Sequence, residues 1–278
     1  MSWMKGMKLA AIGAAFAGGL AVAPVAQGAT IVTQWGVGVV GNFLCETAVY
    51  VGTGTDDPTC TTIQMRWGNS TGFGRSGLDI ANPSGPTTVL TNGPAVPNMA
   101  VTHVNQPITG ITLDKVTLRS TLTLTPQLPP GTGSGPLNLD FVIDFLETPN
   151  DPPGNPGTCA DGTTEGTGLN FNGCADIFVI DQASLNFPFF YDTGDGAVQY
   201  FISFFEQTGG LTPLPAPACA AVGVTSPCLG FRTPERQNTT FNFAAVITTE
   251  PVRIPEPATV ALMGLGLAGL AWSRRRRS

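Results

Sequence analysis

A single histidine, His103, sits in the tetrapeptide Thr102-His103-Val104-Asn105 of a 278-residue chain. An imidazole that titrates near neutrality could act as a general base or a metal ligand. As a base it needs a nucleophile and an orienting acid. Ser76, Ser84 and Ser120 offer hydroxyls and aspartates are plentiful, but no spacing joins them into a set. Asp140 and Asp144 fall on one strand face about 13 Å apart, too far for a retaining glycosidase pair. No catalytic residue is assigned and the chain reads as a non-enzyme. Thr102, His103 and Asn105 read as a local hydrogen-bond cluster that holds a turn, with Asn105 in a left-handed conformation before Gln106-Pro107. A polar ligand contact or single metal ligand at His103 is the sharper alternative.

Carboxylates in glycine-rich turns are the next candidates for chemistry: Asp56-Asp57, Asp151 with Asp161 and Glu165, and Asp192 with Asp195. Calcium is the ion such groups could hold, but none matches an EF-hand loop, so no cofactor or metal site is assigned. Phe187, Phe189, Phe190 and Tyr191 could form a sugar-stacking platform, or cap a core. Six cysteines lack the close pairs that zinc prefers. Of fifteen possible pairings, nearest neighbours are favoured: Cys45 with Cys60, Cys159 with Cys174, and Cys219 with Cys228.

The elements that must position these residues are strands. Charged helix formers are scarce, Gly, Pro and Thr are abundant, and several runs alternate with period two. Leu137, Leu139, Phe141, Ile143 and Phe145 share a face, as do Phe241, Phe243, Ala245 and Ile247. Ile31, Thr33, Trp35 and Val37 form an early strand, and Ile63, Met65 and Trp67 a short one. The alternation slips between Leu113 and Val116, which calls for a bulge near Asp114 and Lys115. Ile177 to Ile180 and Tyr200 to Phe205 are apolar on both sides, as expected inside a two-sheet packing. Loops are expected over 82–98, 126–136, 148–168 and 208–217. The fold class is therefore all-β, a single β-sandwich-like ectodomain with long Gly/Pro/Thr-rich loops.

Both termini stand outside that fold. Lys5 and Lys8 precede an apolar stretch from Leu9 to Ala23 and small residues at Ala26, Gly28 and Ala29, a signal-peptide pattern over 1–28. The ectodomain then spans 29–247, followed by a tether over 248–254. At the other end, Pro255, Glu256 and Pro257 precede an uncharged run from Ala258 to Trp272 and a cluster of Arg274, Arg275, Arg276 and Arg277. As a helix, that run rises about 22 Å against a hydrocarbon core of about 30 Å, a short transmembrane span. The arginines hold their end on the cytoplasmic side, so the bulk of the chain faces outward. Between residues 29 and 254 there are seven basic and eighteen acidic groups, a formal charge of −11, which excludes nucleic acid as a partner.

Pro-Glu-Pro, a short apolar helix and a terminal arginine cluster over 255–278 together resemble the PEP-CTERM sorting signal of exported bacterial proteins. The resemblance implies an exosortase partner, processing near Pro255 to Pro257, export through the inner membrane, C-terminal anchoring, and a final place at the cell surface or in an extracellular polysaccharide matrix. Thr-His-x-Asn downstream of Arg66-Trp67-Gly68 also resembles the THxN family of such proteins, which implies no activity. The expected function is a non-catalytic structural or adhesive one. A carbohydrate- or calcium-binding module is the second reading and a hydrolase the third.

Overall fold

The computed structural model describes residues 28–151, 154, 156–180, 186–207 and 212–252. The expected signal peptide, the Pro255-Glu256-Pro257 motif, the span from Ala258 to Trp272 and the arginine cluster lie outside these residues. Among the described residues, no helix is long and apolar enough to cross a membrane.

Among the described residues, the regular structure is almost all strand. In order these are β1 (Gln34–Val51), β2 (Thr59–Cys60), β3 (Gln64–Trp67), β4 (Asn69–Ser70), β5 (Ser76–Ala81), β6 (Thr87–Leu90), β7 (Val96–Asn105) and β8 (Ile108–Thr109). They continue with β9 (Thr112–Leu128), β10 (Ser134–Leu146), β11 (Asp176–Ile180), β12 (Phe187–Asp192), β13 (Ala197–Glu206), β14 (Thr212–Pro213), β15 (Leu229–Thr233) and β16 (Gln237–Thr248). One short helix, α1 (Ala216–Ala221), follows β14. Two seven-stranded sheets carry the fold, in the orders β14-β15-β11-β10-β9-β1-β6 and β12-β13-β16-β7-β5-β3-β2. Every pairing between the named strands is antiparallel.

The alternation dictates how the sheets meet. Val37, Val39, Leu122, Leu124, Leu139 and Ile143 of the first sheet share one buried cluster with Met65, Leu78, Val101, Tyr200, Ile202 and Ala245 of the second. Burying each such side chain stabilises the fold by about 1.5–3 kcal/mol relative to leaving it in water. This is a β-sandwich. β11 is buried on both faces for a local reason: Phe178 enters the main core, while Ile177 and Val179 pack with Leu214, Ala218, Cys219 and Cys228. The segment containing α1 thus covers the outside of β11.

The bulge near Asp114 is present. Val49 pairs with Lys115 and Tyr50 with Leu113, so Asp114 is the extra residue on β9. The bridges are Cys45–Cys60, Cys159–Cys174 and Cys219–Cys228, the nearest-neighbour set.

Several expectations need correction. Ile31 and Ile63 are exposed, whereas Val32, Met65 and Trp67 are buried. The backbone N–H of Val32 donates to the buried Tyr200 hydroxyl, which draws that residue inward and breaks the phase before Trp35. The loop over 82–98 contains β6 and the start of β7. Thr87, Thr88 and Val89 are β-branched and pair with β1, which outweighs their Gly/Pro surroundings. The loop over 126–136 shrinks to 129–133 because β9 and β10 extend into it. Residues 212–213 and 216–217 of the last expected loop belong to β14 and α1. Of the expected tether, Thr249 N–H donates to Asn92 Oδ1 and Val252 N–H to Asn186 Oδ1.

Candidate functional site: a buried carboxylate trio facing the only histidine

Register places three acids at one end of the sandwich. β10 and β11 pair through Leu146 and Ile177, so Glu147 and Asp176 come next in the ladder, and Asp176 is opposite Thr233 on β15. Side-chain alternation then aims them inward. Glu147 follows Phe145 by two residues, Asp176 precedes Phe178 by two, and Glu235 follows Thr233 by two. One carboxylate oxygen from each of Glu147, Asp176 and Glu235 lies within 4.8 Å of the others.

The second sheet contributes the other wall. His103 on β7 and Trp67 on β3 are fully buried, with rings stacked 6.0 Å apart at 15°. Phe145 and Phe178 close on the imidazole edge to face at 5.6 and 4.7 Å. His103 Nδ1 is 2.8 Å from Thr233 Oγ1. Its Nε2 lies 3.8 Å from Asp176 Oδ2, beyond hydrogen-bond reach, and both atoms are buried without a partner.

Neutral donors hold each acid from outside. Trp67 Nε1–H donates to Glu147 Oε2 at 2.9 Å. Thr148 donates to Asp176 Oδ1 through its N–H at 2.8 Å and its hydroxyl at 3.3 Å. Asn150, in the amide orientation that suits both of its ends, donates to Glu235 Oε1 and Oε2 at 3.0 Å. Asn105 Nδ2 donates to the neighbouring Thr233 carbonyl at 3.0 Å, and the Arg236 guanidinium acts on Glu235 through space while stacking over Phe73. Glu147 Oε1 has no partner. Two glycines permit these approaches. Gly68, at φ +75°, lets Ile108 pack where a Cβ would stand, and Gly173, at φ +125°, leaves room for the Asn150 carbonyl and Glu235.

Burial sets the electrostatics. It raises Glu147 to about 8, with Glu235 adding to the effect through like charge. It also raises Glu235 to about 7 and pushes Asp176 well above the usual carboxylate range. Burial lowers His103 to about 3, so the imidazole is neutral. The group can take up protons or a cation; a neutral imidazole with a free nitrogen is a good metal ligand.

The sequence candidates fare differently. Strand alternation sends Thr102 to the opposite face, where its hydroxyl meets that of Thr240 at 2.9 Å, so the expected local cluster at 102–105 does not form. His103 bonds a side chain of the neighbouring sheet instead of turn carbonyls, and Asn105 closes β7 without a left-handed backbone. Ser76 donates to the Gln106 carbonyl, and Ser120 is buried on the other sheet. Asp140 and Asp144 pair with Arg119 and Lys115 at 2.6 and 2.7 Å. Asp192 accepts from the N–H groups of Gly194 and Gly196, and Asp195 from Thr30 and Thr193. Asp161 is bound by Arg232 and Thr163. These carboxylates are used up by local bonds. The aromatic run alternates: Phe189 is buried against Trp35 and Tyr200, while Phe190 is 64% exposed, so no shared platform forms.

Gly68 to Gly72 reads Gly-Asn-Ser-Thr-Gly, the letters of a nucleophile elbow, which was not among the sequence candidates. Ser70 lies in two-residue β4 paired with β8, outside any strand-to-helix turn, and its Oγ accepts from Gly72 and Gly74 N–H. The acids that do gather, Glu147, Asp176 and Glu235, were missed. Their available signal was phase, since each continues the inward face of an apolar strand beyond its last aromatic or threonine.

Comparison with known proteins bears on the tail. Residues 253–277 carry a PEP-CTERM protein-sorting motif. That motif marks an exported, exosortase-sorted protein that is anchored through its C-terminus and then released outward. The match does not reach Thr102 to Asn105. No curated protein matches the chain.

Proposed function

We propose that this PEP-CTERM chain is a non-catalytic structural or adhesive protein, delivered by an exosortase to the cell surface or an extracellular polysaccharide matrix. The observation that carries the reading is the sorting motif at 253–277 behind a disulfide-supported β-sandwich. The acidic surface keeps such a body soluble and away from anionic polymers unless divalent cations bridge the two. Burial of His103 supports a non-catalytic role, because a polymer substrate cannot reach an imidazole with no exposed surface.

Mass spectrometry of the C-terminus in exosortase-bearing cells tests the delivery step. A mature chain ending near Pro255 to Pro257 is expected, and an intact Arg274 to Arg277 tail overturns it. Hydrolysis of matrix polysaccharide by the purified protein, lost in His103→Gln with the fold intact, overturns the non-catalytic role.

A further inference from the structure

We propose that Glu147, Asp176, Glu235 and Nε2 of His103 form a buried site for one divalent cation of the zinc or manganese type, which ties β10, β11 and β15 of one sheet to β7 of the other. The carboxylates alone would not carry this. The second observation is His103, fully buried, with a partnerless Nε2 aimed at the partnerless Asp176 Oδ2 across 3.8 Å. That separation is too long for a hydrogen bond, and two atoms that share a tetrahedral metal about 2.0–2.2 Å from each stand about 3.3–3.6 Å apart, so the pair must draw in by a few tenths of an ångström to share one ion.

The surroundings have the form of an outer ligand shell. Thr233 occupies Nδ1 of His103, which in the Nδ1–H tautomer leaves the Nε2 lone pair free for a metal. Trp67, Thr148 and Asn150 each hold one acid and are neutral, so they orient the carboxylates without cancelling their charge, and the Arg236 guanidinium offsets part of the charge at Glu235. Glu147 alone of the trio is partly exposed as a residue, although its Oε1 is enclosed. The donor set decides the ion class. An imidazole nitrogen favours zinc over calcium, which takes oxygen ligands, the three carboxylates also suit manganese, and no thiolate is present because all six cysteines are in disulfides. This site is independent of the sorting function.

The test uses the full chain purified in detergent from exporting cells without chelator. Elemental analysis is expected to find about one equivalent of zinc or manganese. Stripping with EDTA should lower Tm, and restoring zinc or manganese to about a hundred times its dissociation constant should raise it by about 5–10 °C. Glu147→Gln and Asp176→Asn should each weaken uptake at least about tenfold, a direct-ligand effect no smaller than the usual loss of an outer-shell partner. Stripped Glu147→Gln, compared above pH 8 where Glu147 and Glu235 are ionised in the parent, should melt no lower than the stripped parent, since a facing like charge is gone; this separates lost binding from lost folding. The proposal is overturned if the folded parent neither holds nor responds to any of these ions. It is equally overturned if both variants retain metal as the parent does, or if only calcium binds and His103→Gln leaves that binding unchanged.

Discussion

Two fully buried tryptophans divide the core into contrasting ends. Register puts them apart along the first sheet: Trp35 pairs with Pro126, whereas Phe145, beside Trp67, lies past Ile143 and its partner Val116 at the far end of β9. Both sit in aromatic nests, Trp35 among Phe189, Tyr191 and Tyr200, and Trp67 among His103 and Phe145. Both indole N–H groups are satisfied. Trp35 donates to the Thr91 hydroxyl and Trp67 to the Glu147 carboxylate. One end is a closed apolar core whose polar atoms pair off as neutral groups. The other uses the same aromatic packing to enclose three carboxyl groups and an imidazole.

Truncation should expose that contrast most strongly. Trp35→Ala is expected to cost about 3–5 kcal/mol in denaturant unfolding through lost burial and a cavity. Trp67→Ala should cost more, because it also strips Glu147 Oε2 of its donor. Measured above pH 8, where Glu147 is ionised, equal costs would mean that the Trp67 N–H contributes nothing to it.

The disulfides provide a matched pair. Cys45–Cys60 and Cys159–Cys174 each join cysteines fifteen residues apart, so removing either should cost about 3 kcal/mol in chain entropy. Cys174 also accepts the Thr148 hydroxyl through its carbonyl, two residues before Asp176. Metal uptake should therefore weaken in Cys159→Ala/Cys174→Ala and hold in Cys45→Ala/Cys60→Ala, as read by elemental analysis.

Acidity separates the ends next. With cations stripped, Glu147 and Glu235 hold protons to about 8 and 7, above their unfolded values near 4.5. The folded state then binds more protons than the unfolded one, so stability falls as pH rises through that window. His103, lowered to about 3, has the opposite sign, with a contribution present above 6.5 and lost as pH falls toward 3. The two oppose each other up to about pH 6.5. A net loss of about 2 kcal/mol from Glu147 and about 1 kcal/mol from Glu235 is expected between pH 6.5 and 8, visible as a falling Tm. At the Trp35 end, Asp195 is held at about 2 by Thr193 and Thr30. Its contribution is present above about 3.8 and fades only as pH falls toward 2, so this end should be flat across the neutral range.

The smallest effects come from changing the indoles alone. Trp35→Phe should cost about 1 kcal/mol for a neutral hydrogen bond, and Trp67→Phe about 2 kcal/mol above pH 8, where its partner Glu147 is ionised. A larger loss at Trp35 would reverse the comparison.

Composition and period two sufficed for the all-β class, the inward face of β10, the slip at Asp114 and the sequential disulfides, because each depends on neighbours within about fifteen residues. The sorting motif was equally legible, being written in consecutive residues with a fixed order of proline, apolar run and arginine. The acid site was not. Glu147, Asp176 and Glu235 come from three stretches of chain and His103 from a fourth, and nothing local distinguishes them from the solvated carboxylates of Asp140 or Asp192. What distinguishes them is the register of β10, β11 and β15 and the closure of β7 over that row. Those pairings place three carboxyl groups where water is excluded, and a neutral imidazole against them. Only the packed sandwich could decide that, because desolvation belongs to the assembled sheets and not to any segment of the chain.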